Sequence, residues 1–266
     1  MKHSVDGVLL QSQPPLRLYV CGQLAVEYGS TVLREADFPA RQSRRLWAYL
    51  VLNRRGPVGR EELIEALWGE DVPDAWDTTL NGLVSRLRRF TRKIPLDPNE
   101  FGIRGEVGRY VLRLPAGTFI DHERARSAIH DTETLLRREE YGPALAEARV
   151  TLEIATRGFL TGEEAPWIMG ERSRLQDIQL RALECTAEAE LARGNPRIAE
   201  LEARELMRLG PLRESGYRLV MRALADGGNV AQIPAIMERC RSTLAEQAGI
   251  EPSAETTQLW SELVSS

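Results

Sequence analysis

An amphipathic segment from about Asp77 to Thr91 constrains the fold more than any other part of the sequence. Its apolar residues recur at spacings of three and four, which on a helix places them on one face at least about 100° wide; they are Leu80, Leu83, Val84, Leu87 and Phe90. The opposite face carries Thr78, Asn81, Gly82, Ser85, Arg86, Arg88 and Arg89. The pattern predicts a helix that is buried on one side and presents arginines on the other.

The residues around this helix predict a small mixed domain. Helical spacing indicates two earlier helices, "RQSRRLWAYLVLN" from residue 41 and "REELIEALWG" from residue 60, the second ending at Gly69. Short alternating stretches, "LRLYVCGQLAV" and "GSTVLREADF", predict antiparallel strands, and "FGIRGEVGRYVLRL" predicts two strands joined by a glycine-containing turn. Strands, three helices and a hairpin, in that order, are the outline of a winged helix domain.

From Asp121 onward the sequence indicates helices only, interrupted at breaks such as "RGNP", "LGPLRE" and "DGGN". Antiparallel helix pairs at this interval are typical of a helical repeat, because one pair cannot bury its own apolar stripe. We therefore predict a mainly α fold with a small β component: a winged helix-turn-helix domain followed by an all-α, tetratricopeptide-like domain. The expected boundaries are a flexible tail at 1–15, the winged helix at 16–115 and the helical domain at 120–266.

Charge is distributed unevenly between these two parts. The formal net charge is −4, but residues 1–115 carry 17 Lys or Arg against 14 Asp or Glu, while residues 116–266 carry 18 against 25. Nearly all of the positive charge is arginine, which suits phosphates and base edges but equally reflects a biased genome composition. The basic excess therefore lies with the predicted winged helix.

No pattern in the sequence predicts catalysis. Cys21, Cys185 and Cys240 lack the spacing of a metal site or a disulfide framework, and His122 and His130 lack a third ligand. There is no Gly-rich phosphate loop followed by Lys and Ser or Thr, and no apolar run long enough for a signal peptide or a membrane span. Glu163 and Glu164 lie in a charged loop and are expected to face solvent. We expect a cytoplasmic protein that is not an enzyme and has no cofactor, no metal and no membrane partner.

The polar face of the predicted third helix suits duplex DNA. Asp77 is expected to cap the helix, leaving Thr78 and Thr79 in the first turn, where N–H groups and hydroxyls can meet a phosphate. In the major groove Asn can read adenine and Arg can read guanine. The preceding helix would support this one, and Arg104 or Arg109 in the hairpin could reach phosphate or the minor groove. The alternatives stay open: a solvated helix whose Arg-rich end favours the dipole, and a strand arginine at 109 that is simply exposed.

Longer motifs carry a family resemblance over nearly the whole chain from Leu16. "LIEALWGEDVPDAWDTTLNGLVSRLRRF" followed by "GRYVLRL" resembles the winged helix of OmpR/PhoB-type response regulators. "APWIMGERSRLQDIQLRALECTAEAELARGN", "GPLRESGYRLVMRALADGG" and "LAEQAGIEPSAET" resemble the bacterial transcriptional activator domain. In this order the two are similar to the Streptomyces antibiotic regulatory protein (SARP) family.

The resemblance implies a sequence-specific activator that binds direct repeats near a promoter as a side-by-side pair and contacts RNA polymerase, notably its sigma factor. By position, the polymerase-contact loop would be "GEDVPDAW", with Glu70, Asp71, Asp74 and Trp76. The third helix would offer DNA Thr78, Thr79, Asn81, Gly82, Ser85, Arg86, Arg88 and Arg89, with Arg86 matching the family arginine that commonly reaches a base. Two positions depart from the pattern: Gly82 replaces a side chain that typically projects toward the groove, and Pro234 falls where a helix would begin or kink.

Two alternatives use the helical domain instead. In the first, the protein is an interaction module whose DNA reading is weak or lost. In the second, it is a sensor that holds a small molecule among Trp167, Met169, Tyr217 and Met221, although these four are more typical of core positions.

Overall fold

The computed structural model describes residues 14–265, which form two compact units. The first unit extends to Asp121 and also includes Leu160–Trp167, and the second comprises His122–Phe159 and the residues from Ile168 onward. Most of the predicted tail, residues 1–13, lies outside the described residues.

The first unit contains short strands and three helices. Its strands are β1 (Arg17–Tyr19), β2 (Ala25–Tyr28), β3 (Thr31–Arg34), β4 (Val58–Gly59), β5 (Gly102–Glu106), β6 (Arg109–Arg113) and β7 (Phe119–Ile120). Its helices are α1 (Arg41–Leu52), α2 (Arg60–Trp68) and α3 (Trp76–Thr91). The three helices and the hairpin of β5 and β6 lie where the sequence predicts them.

The strands form two sheets. One has the order β3-β2-β1-β7, with β7 parallel to β1, and the other has the order β4-β6-β5. The stretch from Leu16 to Val26 contains two strands, because a turn at Gly22, with a φ of 76°, separates β1 from β2. Strands β4 and β7 have only two residues each, too few to give a recognisable sequence pattern.

An aromatic cluster in the first unit fixes the depth at which α3 is buried. Trp47 on α1 is fully buried, and its ring centroid lies 6.2 Å from Phe38, 6.1 Å from Phe90 and 6.2 Å from Phe101. Phe90 belongs to α3 and Phe101 precedes β5. The cluster thus joins the apolar face of α3 to α1 and to the base of the hairpin.

The second unit is helical throughout. Its helices are α4 (Asp121–Arg137), α5 (Tyr141–Ala155), α6 (Pro166–Ala192), α7 (Pro196–Leu209), α8 (Glu214–Asp226), α9 (Ile233–Ala248) and α10 (Ala254–Ser265), although the first residue of α4 and the first two residues of α6 belong to the first unit. Side chains of α6, α7, α8 and α9 share one apolar core around Tyr217, whose hydroxyl donates to the Pro211 carbonyl at 3.0 Å. Pro234 lies in the first turn of α9, where a missing N–H costs nothing. The fold class matches the prediction. In the described part of the chain no helix is long and apolar enough to cross a membrane.

Candidate nucleic-acid interface

Helix α3 separates an apolar face from a basic one. Leu80, Leu83, Val84, Leu87 and Phe90 are buried, as their spacing predicts. Thr78, Ser85, Arg86 and Arg89 are exposed. Among residues 14–265, neither Arg86 nor Arg89 has a carboxylate within ion-pair distance, so both guanidinium groups keep their full charge toward solvent.

The first turn of α3 differs from the expectation. Asp77 does not cap the helix: the helix begins one residue earlier, at Trp76, and the N-cap is Ala75, which has no side-chain cap. Asp77 therefore lies inside the first turn, where its negative charge favours the helix dipole. Its carboxylate forms an ion pair with Arg60 and accepts a hydrogen bond from Asn81 Nδ2 at 3.0 Å.

Arg60, which no local sequence pattern marks as functional, organises this end of α3. From the start of α2, its Nη1 donates to Asn81 Oδ1 at 3.3 Å and to Tyr110 Oη at 3.1 Å, while Nη2 pairs with Asp77. The guanidinium carbon also lies 5.5 Å from the centroid of the Trp76 ring, a cation–π distance. One guanidinium thus ties α2, α3 and β6 together.

Some of the polar groups predicted to contact DNA already have hydrogen-bond partners within the described residues, and we call these engaged; the others are called free. The Asn81 amide already contacts Asp77, Arg60 and Tyr110, and the Thr79 hydroxyl donates to the Ala75 carbonyl at 3.0 Å. For Asn81 to read a base it would have to exchange these partners. Arg86 requires no such exchange.

Arg88 on α3 and the two hairpin arginines, Arg104 and Arg109, are similarly divided. Arg88 Nε donates to the Ile103 carbonyl at 2.9 Å, which joins α3 to β5. Arg104 Nη2 donates to the Pro98 carbonyl at 3.1 Å and to the side-chain oxygen of Asn99. Arg109 is exposed at the start of β6. Of these three, only Arg109 has no hydrogen bond or ion pair of its side chain among the described residues.

The predicted polymerase-contact loop is shorter than expected. Glu70, Asp71 and Asp74 are exposed between α2 and α3. Gly69 ends α2 with a φ of 58°, and its N–H donates to the Glu65 carbonyl at 2.8 Å. Trp76 belongs to α3 and stacks against Arg60, so it is not part of the loop. The remaining loop is acidic and lies directly before the basic helix.

The expectation that Glu163 faces solvent is wrong. Its side chain is 5% exposed and accepts hydrogen bonds from Arg41 Nε at 2.6 Å and Arg45 Nε at 2.5 Å, both on α1, whereas Glu164 is exposed. Trp167 in the same segment donates from Nε1 to the Ala66 carbonyl at 2.9 Å. Two arginines four residues apart on one helix supply the charge that allows a carboxylate to be buried.

The residues of the sensor alternative differ in burial and in the unit to which they belong. Tyr217 and Met221 lie in the apolar core of the second unit, Met169 is half-exposed, and Trp167 belongs to the first unit. His122 Nε2 lies 3.1 Å from Glu171 Oε2. Within the described residues no group of three or more His, Cys, Asp or Glu side chains is arranged to hold a metal ion.

The fold and its basic helix define the class of the protein: a winged helix domain followed by a helical domain. Residues 39–105 match the family "Transcriptional regulatory protein, C terminal", and residues 120–264 match the "Bacterial transcriptional activator domain". The second match covers more than half of the chain, and with the first it shows that the chain belongs to the SARP family of activators. Both matched families are regulators of transcription rather than enzymes.

Individual relatives agree with this assignment. The chain is 30% identical over 211 residues to the regulatory protein AfsR of Streptomyces coelicolor, a match that covers 79% of this chain but 20% of AfsR. It is 25% identical over 257 residues to the regulatory protein DnrI of Streptomyces peucetius, covering 92% of this chain and 90% of DnrI. The chain thus spans about a fifth of AfsR and nearly all of DnrI.

A solved structure shows the same fold. It is that of Mycobacterium tuberculosis EmbR in complex with a low affinity phosphopeptide, with a TM-score of 0.84 and 23% sequence identity. The likeness covers 94% of this chain and 65% of the EmbR chain.

Proposed function

We propose that this chain binds double-stranded DNA in a sequence-specific manner and activates transcription, with α3 as the helix that enters the major groove. The observation that carries the proposal is the exposed guanidinium of Arg86, which has no ion pair among the residues that the structure describes, on a helix whose opposite face is buried. A guanidinium in this position can donate two hydrogen bonds to guanine O6 and N7. Thr78, Arg89 and Arg109 supply further exposed donors for the DNA backbone.

Two finer elements belong to the same proposal. Two copies bind direct repeats side by side as a homodimer on DNA, and the acidic loop with Glu70, Asp71 and Asp74 contacts RNA polymerase through its sigma factor. The exposure of that loop immediately before α3 supports this, because it is free to meet a protein while α3 occupies the groove. The site of action is the cytoplasm, where bacterial DNA lies.

Footprinting with the full chain upstream of the neighbouring operon tests the proposal. Protection of two half-sites in the same orientation is the expected result, and absence of protection on every fragment would contradict it. A salt series separates DNA binding from the alternative of a pure interaction module. DNA affinity should fall steeply with salt, because neutralising phosphates releases counterions. An interaction module would show weak DNA affinity at every salt concentration.

A further inference from the structure

Residues 160–167, here called the strap, pack within the first unit, although the residues on both sides of them belong to the second. One contact of the strap is the buried carboxylate of Glu163, which binds Arg41 and Arg45 on α1. Arg41 also donates from Nη2 to the Gly162 carbonyl at 2.9 Å. A side chain and a backbone group of the strap are thus bound to α1.

The second contact of the strap is the Trp167 side chain. Its ring centroid lies 5.1 Å from that of Tyr49 on α1, at an interplanar angle of 84°. An edge-to-face pair of this kind favours one orientation of the indole. In this orientation Nε1 donates to the Ala66 carbonyl on α2 at 2.9 Å. Trp167 thus joins α1 to the C-terminal end of α2.

The last turn of α2 depends on donors from outside the helix. A helix leaves its last four carbonyl groups without donors from its own backbone. The chain that follows α2 supplies two donors. Gly69 N donates to the Glu65 carbonyl at 2.8 Å, and Asp71 N donates to the Trp68 carbonyl at 3.1 Å. The other two carbonyls bind side chains that lie far away along the chain.

Both contacts of the strap reach these other two carbonyls. The Ala66 carbonyl accepts directly from Trp167 Nε1. The Leu67 carbonyl accepts from Arg45 Nη1 at 3.1 Å. The same guanidinium donates from Nε to Glu163, which therefore holds Arg45 in the position that serves Leu67. The positive charge of Arg45 also suits the negative end of the helix dipole.

The end of α2 is at the same time the beginning of the acidic loop between α2 and α3. Gly69 and Asp71, which donate to the last turn of α2, are the first and third residues after the helix. The far end of the loop is held separately, because Trp76 N donates to the Pro73 carbonyl at 2.9 Å. Without the strap, the last turn of α2 would lose the partners of two carbonyls, and the near end of the loop would no longer be fixed.

We propose that Trp167 and Glu163 are positioning residues for the acidic loop. Through the last turn of α2 they hold the loop in the arrangement that contacts RNA polymerase. This inference rests on the function proposed above for the loop. A loop that is already held in one conformation loses less conformational entropy when it binds its partner, so its apparent affinity is higher.

Trp167→Phe in the full chain is the first variant, because phenylalanine keeps a ring against Tyr49 but has no N–H group for the Ala66 carbonyl. Trp260→Phe is its matched control. It removes the same N–H group from an indole whose buried nitrogen has no hydrogen-bond partner among the described residues. Glu163→Gln is the second variant, because it loosens the strap at its other contact and leaves Trp167 unchanged.

The first measurement is amide hydrogen exchange, followed by NMR at Gly69 and Asp71. Loss of a hydrogen bond in the last turn of α2 should speed exchange at both amides by about fivefold in Trp167→Phe and in Glu163→Gln. Trp260→Phe should exchange like the wild type. The Arg92 amide, which donates to the Arg88 carbonyl at the other end of α3, should keep its rate in every variant.

The second measurement compares operator affinity with transcription by RNA polymerase holoenzyme at saturating occupancy of the operator. Trp167→Phe and Glu163→Gln should bind the operator within about twofold of the wild type and activate transcription about threefold less or lower still. Trp260→Phe should match the wild type in both measurements. A role confined to stabilising the fold would not separate activation from DNA binding in this way.

Four results would overturn the positioning role. They are unchanged exchange at Gly69 and Asp71 in both variants, equally faster exchange at Arg92, faster exchange at the loop with full activation, and a loss of operator affinity that accounts for the loss of activation. A wild type that binds no duplex refutes the proposed function instead. Hydrogen exchange then still decides whether the strap fixes the near end of the loop.

Discussion

Arg60 and Asp77 form an ion pair that links the first residue of α2 to the first turn of α3. The pair belongs to a network in which the same guanidinium also reaches Asn81 and Tyr110 and lies over Trp76. An exposed ion pair alone contributes little. A planar group that satisfies several partners at fixed angles contributes more, and it determines how the N-terminal end of α3 is presented.

The network makes lysine a poor substitute at position 60. A lysine ammonium has no planar fork and does not stack on an aromatic ring in the same way. We expect Arg60→Lys to lower the free energy of unfolding by about 1–2 kcal/mol and Arg60→Ala by more. Urea unfolding followed by tryptophan fluorescence measures this, because four of the five tryptophans, all except Trp260, belong to the first unit. Arg89→Lys should leave the midpoint unchanged; equal stabilities of Arg60→Lys and the wild type would refute the role of the network.

Gly82 should be replaceable by alanine at a gain in stability. A Cβ at this position would meet only Arg86 Nη2, at 3.9 Å, which is ordinary van der Waals contact. Alanine in a helix interior is about 1 kcal/mol more favourable than glycine, so Gly82→Ala should raise the unfolding midpoint by a corresponding amount. If Gly82→Ala were instead less stable than the wild type, position 82 would not have room for a methyl group as the structure shows. DNA affinity of the same variant then shows whether the missing side chain serves a close approach of the helix to the groove.

The hairpin turn stores backbone strain at Val107. Its φ is 27°, a conformation that β-branched residues disfavour, and its side chain is fully exposed, so nothing is gained by packing. Together with Gly108, at a φ of 74°, it forms the two-residue turn for which Asn-Gly is preferred. We expect Val107→Asn to stabilise the first unit by about 1 kcal/mol in thermal unfolding. Val107→Ile, which keeps the β-branch, should not be more stable than the wild type. A similar gain in stability in both variants would contradict the interpretation that the β-branched side chain at position 107 strains the turn.

Glu163 should make stability depend on pH. Burial raises the pKa of this carboxyl group, but hydrogen bonds from Arg41 and Arg45 outweigh that effect and lower its pKa below the ordinary value of 4.5. The folded state therefore binds fewer protons than the unfolded state. The stabilisation is present above the ordinary pKa and is lost as pH falls through the lowered value.

Glu163→Gln isolates this contribution from those of Glu171, Glu205 and Glu214, whose pKa values are also lowered. At neutral pH we expect the variant to lose about 1–3 kcal/mol, because two arginines lose a charged acceptor. The difference between wild type and variant should shrink as pH is lowered from about 5 toward 3. Urea unfolding at several pH values measures it, and a difference that stays constant with pH would show that Glu163 acts through packing alone.

Local patterns predicted the helices, the hairpin and the buried face of α3, because each follows from spacings of two to four residues. The spacing of Leu80, Leu83 and Leu87 is sufficient to orient the helix and therefore to expose Arg86. The features that could not be predicted from the sequence depend on contacts between residues far apart along the chain. The β1 to β7 pairing and the Asp121 carboxylate, which accepts from Val20 N and Cys21 N, join residues about a hundred positions apart.

Contacts between residues far apart along the chain also explain why the predictions for Asp77 and Glu163 were wrong. Asp77 is an ordinary N-cap residue by type, but Arg60, 17 positions earlier, provides a partner that local pattern does not show. Glu163 lies among charged residues and would be solvated if α1 did not present Arg41 and Arg45 to it. The distribution of free and engaged donors on α3 likewise depends on Tyr110 and Ile103, which only the folded hairpin places nearby.

Sequence-specific DNA binding by this protein depends on base reading by Arg86, and the affinity of one variant for two duplexes tests it. We would measure dissociation constants of the wild type, Arg86→Ala and Arg89→Ala for the mapped operator and for a scrambled duplex at one salt concentration. Arg86→Ala should lose about 1–3 kcal/mol on the operator and little on the scrambled duplex, whereas Arg89→Ala should lose similar amounts on both. An operator affinity of Arg86→Ala equal to that of the wild type, with the fold intact, would contradict the assignment of α3 as the helix that reads DNA.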